Sequence, residues 1–212
     1  MTNAYHHIDH CPLCESNSFS FALNCKDLYS TNEIFKIMSC QQCGFLFTQD
    51  FPDENAIDRY YEGINYISHS DSQKGITHKL YHLARRFMLG KKAKLVANNV
   101  STTSRWLLDV GCGTGYFLAY MHRKNWLVKG VEKNEKAREF SHHQLGIMTE
   151  KSEVLFHYEE NQFGVITLWH SLEHLQKLNE TMAQLHKILI NNGTLVIALP
   201  NAKSIDANYY KE

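Results

Sequence analysis

The sequence predicts an α/β protein built on a parallel sheet, preceded by a small module stapled by metal. Three observations lead there. From about residue 100 onward, short apolar runs of strand type alternate with segments of helical period, the pattern of β-α crossover units. A glycine-rich turn, Gly111-Cys112-Gly113-Thr114-Gly115, joins the first of those strands to a helix. Upstream, two Cys-x-x-Cys pairs, Cys11/Cys14 and Cys40/Cys43, stand 25 residues apart.

Composition sets the scale. The 212 residues, 43% apolar and 21% charged, suffice for one ordinary domain plus a small module. No apolar run approaches the roughly 18 residues of a membrane span, and no basic segment precedes an apolar core at the start, so a cytoplasmic protein is expected. Four of the six cysteines are paired by spacing, and Cys25 and Cys112 are isolated, which favours reduced thiols and metal over disulfides. The zero net charge conceals an asymmetry: residues 1–60 carry three Lys/Arg against eight Asp/Glu, whereas residues 72–108 carry eight Lys/Arg and no acid.

In chain order, His6, His7 and His10 are expected to belong to an exposed, disordered tail. Each Cys-x-x-Cys turn then offers two thiolates to one ion, and two such turns complete a closed tetrahedral site. Strand-type runs at Phe19–Leu23, Ile34–Met38 and Phe45–Thr48 surround the pairs, so residues 1–50 read as a zinc ribbon with Cys11, Cys14, Cys40 and Cys43 as ligands. A redox Cys-x-x-Cys comes singly, on a strand-to-helix junction. The zinc is structural, because so small a segment cannot fold by apolar burial alone. An RNA-docking ribbon would be basic, and this one is acidic.

Residues 51–75 are rich in turn formers and read as a linker, with Tyr60, Tyr61, Tyr66 and His69 expected to pack or to roof a pocket. From Thr77 to Asn98, Leu80, Leu83, Ala84, Phe87, Met88 and Leu95 recur at helical spacing with Lys79, Arg85, Arg86, Lys91, Lys92 and Lys94 between them. A long amphipathic helix with a solvated basic face is expected. It opens a second domain, residues 76–212.

The first strand, Trp106 to Val110, ends in the glycine turn, and residues 116–124 continue as helix. Glycines at such a turn permit the bend and let a cofactor approach bare backbone. The spacing G-x-G-x-G differs from the dinucleotide G-x-G-x-x-G, and Asp109 stands two positions before the first glycine. A second strand, Leu127–Val131, ends at Glu132, placed to accept hydrogen bonds from ribose hydroxyls. Asn134 caps a helix running to Leu145, closed by Gly146. A short third strand is expected at Ile147–Thr149, and a fourth, buried on both faces, at Phe163–Trp169. A helix over Lys177–Ile190, closed by Asn191-Asn192-Gly193, precedes a fifth strand, Thr194–Leu199.

The stretch Leu108-Asp109-Val110-Gly111-Cys112-Gly113-Thr114-Gly115 resembles the first motif of class I S-adenosylmethionine-dependent methyltransferases. The resemblance covers residues 100–201, about half the chain, and implies a Rossmann-like, doubly wound sheet of strand order 3-2-1-4-5. It implies S-adenosylmethionine as cofactor, held by Asp109, Gly111, Cys112, Gly113, Gly115, Tyr116, Glu132 and Leu168. In such enzymes the loop after the fourth strand borders donor and acceptor, which makes His170 the catalytic candidate, with Glu173 and His174 beside it. Some small-molecule O-methyltransferases carry Glu-x-x-Glu-His there for a divalent ion; His170 replaces the first Glu here. His174 is read as a helix-packing residue. The sixth and seventh strands of the family have no counterpart before Glu212, so a C-terminally incomplete domain is expected. The two-knuckle N-terminus resembles zinc-ribbon methyltransferases of bacterial small-molecule and cell-surface pathways. The resulting expectation is methyl transfer to a small-molecule acceptor, without nucleic acid or membrane as partner. The alternatives are an rRNA or tRNA methyltransferase that docks through its ribbon, and an inactive, cofactor-binding partner subunit.

Overall fold

The computed structural model of the chain describes residues 5–28, 31–53, 56–57, 60, 76–205 and 209. It divides into two compact units, Met1–Tyr66 with Asn201–Glu212, and Ile67–Pro200.

The first unit holds β1 (Tyr5–His6), β2 (Phe19–Lys26), β3 (Ile34–Cys40), β4 (Leu46–Gln49) and β5 (Phe51–Pro52). Strands β2, β3 and β4 form an antiparallel meander, and β1 pairs with β5. The register sets Phe19 opposite Cys40 and Met38 opposite Phe47, and the rings of Phe19 and Phe47 meet edge-on at 4.9 Å. These strands are mostly exposed or half-buried; among the described residues of this unit, Cys11, Cys40 and Phe47 are the deeply buried apolar side chains of the meander and its knuckles.

Two sequence expectations need correction or narrowing here. The N-terminal histidines are exposed but are not a disordered tail: His6 pairs with Phe51 in the β1–β5 ladder, and the His7 ring meets Asp50 at 2.5 Å and Gln49 at 3.0 Å. Short pairing with β5 supplies the backbone partners that the local sequence lacks. Tyr60 packs edge-on against Phe35 and donates its hydroxyl hydrogen to Glu33 at 2.5 Å. Tyr61, Tyr66 and His69 lie outside the described residues.

The second unit contains α1 (Ile76–Asn99), β6 (Trp106–Val110), α2 (Tyr116–His122), β7 (Leu127–Val131), α3 (Glu135–Leu145), β8 (Phe163–Trp169), α4 (Leu178–Ile188) and β9 (Leu189–Ala198). Its sheet runs β7-β6-β8-β9, all neighbours parallel. Strands β6 and β8 are buried on both faces. Leu108, Val110, Ile166 and Leu168 point toward Leu185 and Ile188 of α4. Leu107 and Val165 meet Val96 of α1 and Phe117, Leu118 and Met121 of α2 on the other side. Asn134 caps α3 through the Ala137 N–H at 3.0 Å, and Gly146 closes it at φ +66.

The expected third strand is reduced to one parallel bridge, Val131 to Glu150. The Glu132 N–H donates to the Glu150 carbonyl at 2.9 Å and the Glu150 N–H to the Gly130 carbonyl at 2.8 Å. The segment lies outside β7, as the order 3-2-1-4-5 requires. Ile147 is buried and Met148 exposed, and a 3-10 turn over Ser152–His157 begins before a second pair of bonds can form.

The end of α4 is also corrected. The helix stops at Ile188 and the chain enters β9 at Leu189, which pairs with Phe163; pairing resumes only at Val165 with Thr194. The residues between, including Asn192 at φ +61, form an irregularity within β9 instead of closing the helix.

Helix α1 turns a different stripe inward from the one its apolar residues mark. Leu80, Leu83, Phe87, Met88 and Leu95 are exposed, whereas Val96 is buried and Arg85, Leu89, Lys92 and Ala93 are half-buried. The inward stripe is itself helically periodic. Its two cations are accepted because rings receive them: Arg85 lies over Tyr116 and Lys92 over Trp169. Among the described residues, no helix is long and apolar enough to cross a membrane.

Candidate active site and metal centre

The two cysteine knuckles share one backbone design. The Glu15 N–H donates to the Cys11 carbonyl and the Gly44 N–H to the Cys40 carbonyl, both at 2.8 Å. Glu15 and Gly44 both hold positive φ, +61 and +74. The Cys11 N–H then bonds the Ser16 carbonyl, and the Cys40 N–H the Phe45 carbonyl. In the second knuckle the turn aims the amides of its second half at the first sulfur. At Cys40 the N–H of Cys43, opposed by burial and assisted by the N–H of Gln42, brings the thiol down to about 6. All four sulfurs lie within 4.8 Å of one another. Cys11 and Cys43 stand 3.6 Å apart and Cys14 and Cys40 3.5 Å, close to the edge of a tetrahedron with zinc–sulfur bonds of about 2.3 Å. A set of four thiolates in this arrangement fits a zinc ion with no open coordination position.

In the second unit, β6 and β7 end side by side, Val110 opposite Val131. The glycine turn begins where β6 ends. Gly111, Gly113 and Gly115 adopt φ +72, +54 and +76, conformations that side chains resist. Their surroundings separate their roles. A Cβ on Gly111 would meet the Ser171 Cβ at 2.5 Å, and one on Gly115 the Ser141 Oγ at 2.3 Å, whereas one on Gly113 would meet nothing within 4 Å. The outer glycines permit packing against the loop after β8 and against α3. The middle one leaves bare backbone facing open space.

Glu132 is buried and accepts two backbone N–H bonds, from Gly113 at 2.8 Å and Asn134 at 2.9 Å. Arg138 secures this strand end by donating to the carbonyls of Glu132 and Lys133 at 2.7 and 2.6 Å. The carboxylate thus ties the glycine turn to the start of α3 and retains lone pairs for a further donor. Cys112 sits in the same turn, its thiol pushed well up by burial and by the nearby acids Asp109 and Glu132.

Asp109 lies beneath the turn on the α1 face, accepting the Thr167 hydroxyl at 2.6 Å. Burial pushes its carboxyl up to about 7, against the pull of Thr167 and of Lys92. Lys92 is shifted down by burial, opposed by Asp109, and its ammonium lies 4.6 Å from the centre of the Trp169 ring. Leu168 is wholly buried in the opposite face of the sheet. Tyr116 opens α2, touches Phe140 at 5.8 Å and carries the Arg85 guanidinium over its face at 4.0 Å.

His170 follows β8 in the left-handed region, φ +57. Its N–H donates to the Ala198 carbonyl at 3.0 Å, its ring is exposed, and its Nδ1 stands 3.7 Å from a Glu173 oxygen. A non-glycine residue in this region is strained, of order 1–3 kcal/mol, and persists where its surroundings fix it. Ser171 beside it donates to the Val110 carbonyl at 2.6 Å, which locks the loop after β8 to the end of β6. Sequence reasoning missed Ser171, Thr167 and Arg138, whose partners lie on other elements or on backbone carbonyls.

The methyltransferase-domain family model matches residues 80–212. A crystal structure of a SAM-dependent methyltransferase from Archaeoglobus fulgidus is similar with TM-score 0.51 and 24% identity, over 60% of this chain and 59% of that one. A protein from Pyrococcus horikoshii OT3 is similar with TM-score 0.51 and 15% identity, over the same shares, 60% and 59%. Both likenesses are of fold, and this chain spans about three fifths of the length of those two structures. No curated protein matches the chain.

Proposed function

The chain belongs to the methyltransferase-domain family, and from that premise we propose that it transfers a methyl group from S-adenosylmethionine to a small-molecule acceptor. The observation that carries the donor site is the open space over Gly113, flanked by glycines whose own space is filled. In this reading Gly111, Cys112, Gly113 and Gly115 offer backbone to the cofactor, and Glu132 accepts from its ribose hydroxyls with the lone pairs its two amide bonds leave free. Tyr116 flanks the cofactor, and Asp109 and Leu168 hold the strand ends beneath it. S-adenosylmethionine, when bound, supplies a methyl group already activated by its sulfonium.

The protein's task is then to hold an acceptor in line with that group and to exclude water. His170 is the proposed base for an oxygen or nitrogen acceptor, with Glu173 placed to steady the imidazolium that results. Cys11, Cys14, Cys40 and Cys43 hold one structural zinc, and free thiols of this kind suit a reducing compartment such as the cytoplasm.

Charge supports the small acceptor. Residues 1–60 hold five more acids than bases, eight against three, which repels phosphates. The basic helix offers less to RNA than its sequence promises, because Arg85 and Lys92 are turned toward aromatic rings.

Calorimetric titration with S-adenosylmethionine and with NAD, followed by methyl-transfer assays on small-molecule and RNA pools, tests the proposal. Binding of the first ligand alone and turnover of a small acceptor is the expected result. Micromolar RNA binding that falls roughly a thousandfold between about 50 and 200 mM salt would instead establish an RNA enzyme. His170→Ala should lower turnover by about a hundredfold or more while sparing cofactor affinity, if the base assignment is right.

A further inference from the structure

Strand β8 changes partners along its length. Its ladder with β6 ends at Asp109 opposite Thr167, whereas its ladder with β9 continues to Trp169 opposite Ala198. The chain stays with β9 for one more residue, the His170 N–H donating to the Ala198 carbonyl at 3.0 Å. It then returns at once. The Ser171 hydroxyl donates to the carbonyl of Val110, the last residue of β6, at 2.6 Å. The Ser171 Cβ fills the space that a side chain on Gly111 would need. Between these two adjacent residues the hold on the backbone passes from β9 to β6, and His170, at φ +57, is where the chain reverses.

A left-handed residue that carries a Cβ persists where contacts on both sides hold it. His170 is held on one side by its own N–H and on the other by the buried Ser171. Ser171 frames Glu173 as well. Its carbonyl accepts the His174 N–H at 3.1 Å, opening the short turn Leu172–His174 that brings a Glu173 oxygen to 3.7 Å from the imidazole. The peptide that Ser171 grips by its carbonyl is the one whose N–H belongs to Gly111, and that N–H donates to the Val131 carbonyl at 2.9 Å. The loop of the base and the glycine turn therefore share one peptide plane. We propose that Ser171 is a positioning residue: by gripping that peptide it holds His170 in its left-handed turn and registers the imidazole against the donor turn. This rests on the reading of His170 as base and adds the residue that aims it.

Ser171→Ala tests this on the full chain, because alanine keeps the Cβ that packs on Gly111 and removes only the hydroxyl. Backbone NMR shifts of His170 come first and need no acceptor. They should report a left-handed residue in the wild type and its loss in Ser171→Ala; a His170 that stays left-handed in the variant overturns the proposal. Methyl transfer from S-adenosylmethionine to the small-molecule pool should then fall by about ten- to a hundredfold in Ser171→Ala, as expected for a misplaced catalytic group, while calorimetry shows affinity for S-adenosylhomocysteine unchanged. Ser171→Cys has nearly the same shape but is a weak donor, so it should fall between, and it decides if Ser171→Ala does not fold. In the His170→Ala background Ser171→Ala should cost nothing further, since the side chain it aims is gone. An equal loss in both backgrounds marks a merely structural serine and overturns the assignment. Full turnover by His170→Ala alone removes the base reading, and this inference with it, whatever Ser171 does.

Discussion

The two units are held by opposite means. In the first, β2 is mostly exposed or half-buried along its length, and the deepest side chains include two sulfurs, Cys11 and Cys40. In the second, β8 is buried from Phe163 through Leu168, and helices cover both faces of the sheet. A small antiparallel sheet cannot remove enough apolar area from water to fold, and a zinc ion on its four clustered sulfurs would supply the missing stability. A parallel sheet exists only where both faces are covered, so its stability is spread over many contacts. Failure of the ribbon should therefore be all-or-none at one point, and failure of the sheet graded.

The largest expected effect breaks the first side of this comparison. Cys11→Ser or Cys40→Ser, or a strong chelator, should abolish the one bound zinc and unfold the ribbon, since structural zinc contributes on the order of 10 kcal/mol or more. Titration with S-adenosylhomocysteine should show donor affinity mostly intact. Elemental analysis of reduced protein that finds no zinc would refute the assignment.

Next comes the converse. Phe163→Ala removes a ring with no exposed surface that packs edge-on against Tyr158 at 5.1 Å, and about 3–5 kcal/mol should be lost. Denaturant unfolding should locate that loss in the second unit, with the ribbon's zinc retained.

The third test uses opposite pH dependences. Asp109 holds a proton up to about pH 7 in the folded chain, against about 4 unfolded. Between those values the folded state binds more protons, so stability due to this group falls as pH rises from about 4 to 7. At about 1.4 kcal/mol per unit the fall is of order 4 kcal/mol, and Asp109→Asn should flatten it. The ribbon should behave in reverse, losing zinc as acid protonates its thiolates. Thermal melts of wild type and Asp109→Asn across this range would show whether the two units diverge.

The smallest effect on stability separates glycines within one turn. Gly113→Ala meets only the strain of φ +54, about 1 kcal/mol, whereas Gly111→Ala adds a clash with Ser171 and should destabilise further. Donor affinity should rank them the other way, with Gly113→Val binding least, because the open space over Gly113 is the proposed approach path. Glu132→Ala should likewise weaken donor binding, since it also leaves the Gly113 and Asn134 amides unpaired. Calorimetry with circular dichroism distinguishes lost affinity from lost fold.

What the sequence determined by itself was local or strongly patterned. The cysteine spacing announces a four-sulfur cluster because each knuckle is built within six residues, from Cys11 to Ser16 and from Cys40 to Phe45. The apolar runs at Trp106–Val110 and Phe163–Trp169 announce central strands because burial on both faces leaves no polar alternation. Asn134 and Gly146 fix α3 at both ends because caps are chemistry of single residues. Tertiary structure decided whatever depends on partners distant in the chain. It reduced the third strand to a bridge at Glu150 and started β9 at Leu189 with a register shift before Thr194, since pairing, not propensity, sets strand ends. It joined Asp109 to Thr167 across 58 residues and set Ser171 against Gly111. It also chose between two periodic stripes on α1, because the rings of Tyr116 and Trp169 make a packed place for cations that no pattern within the helix can reveal.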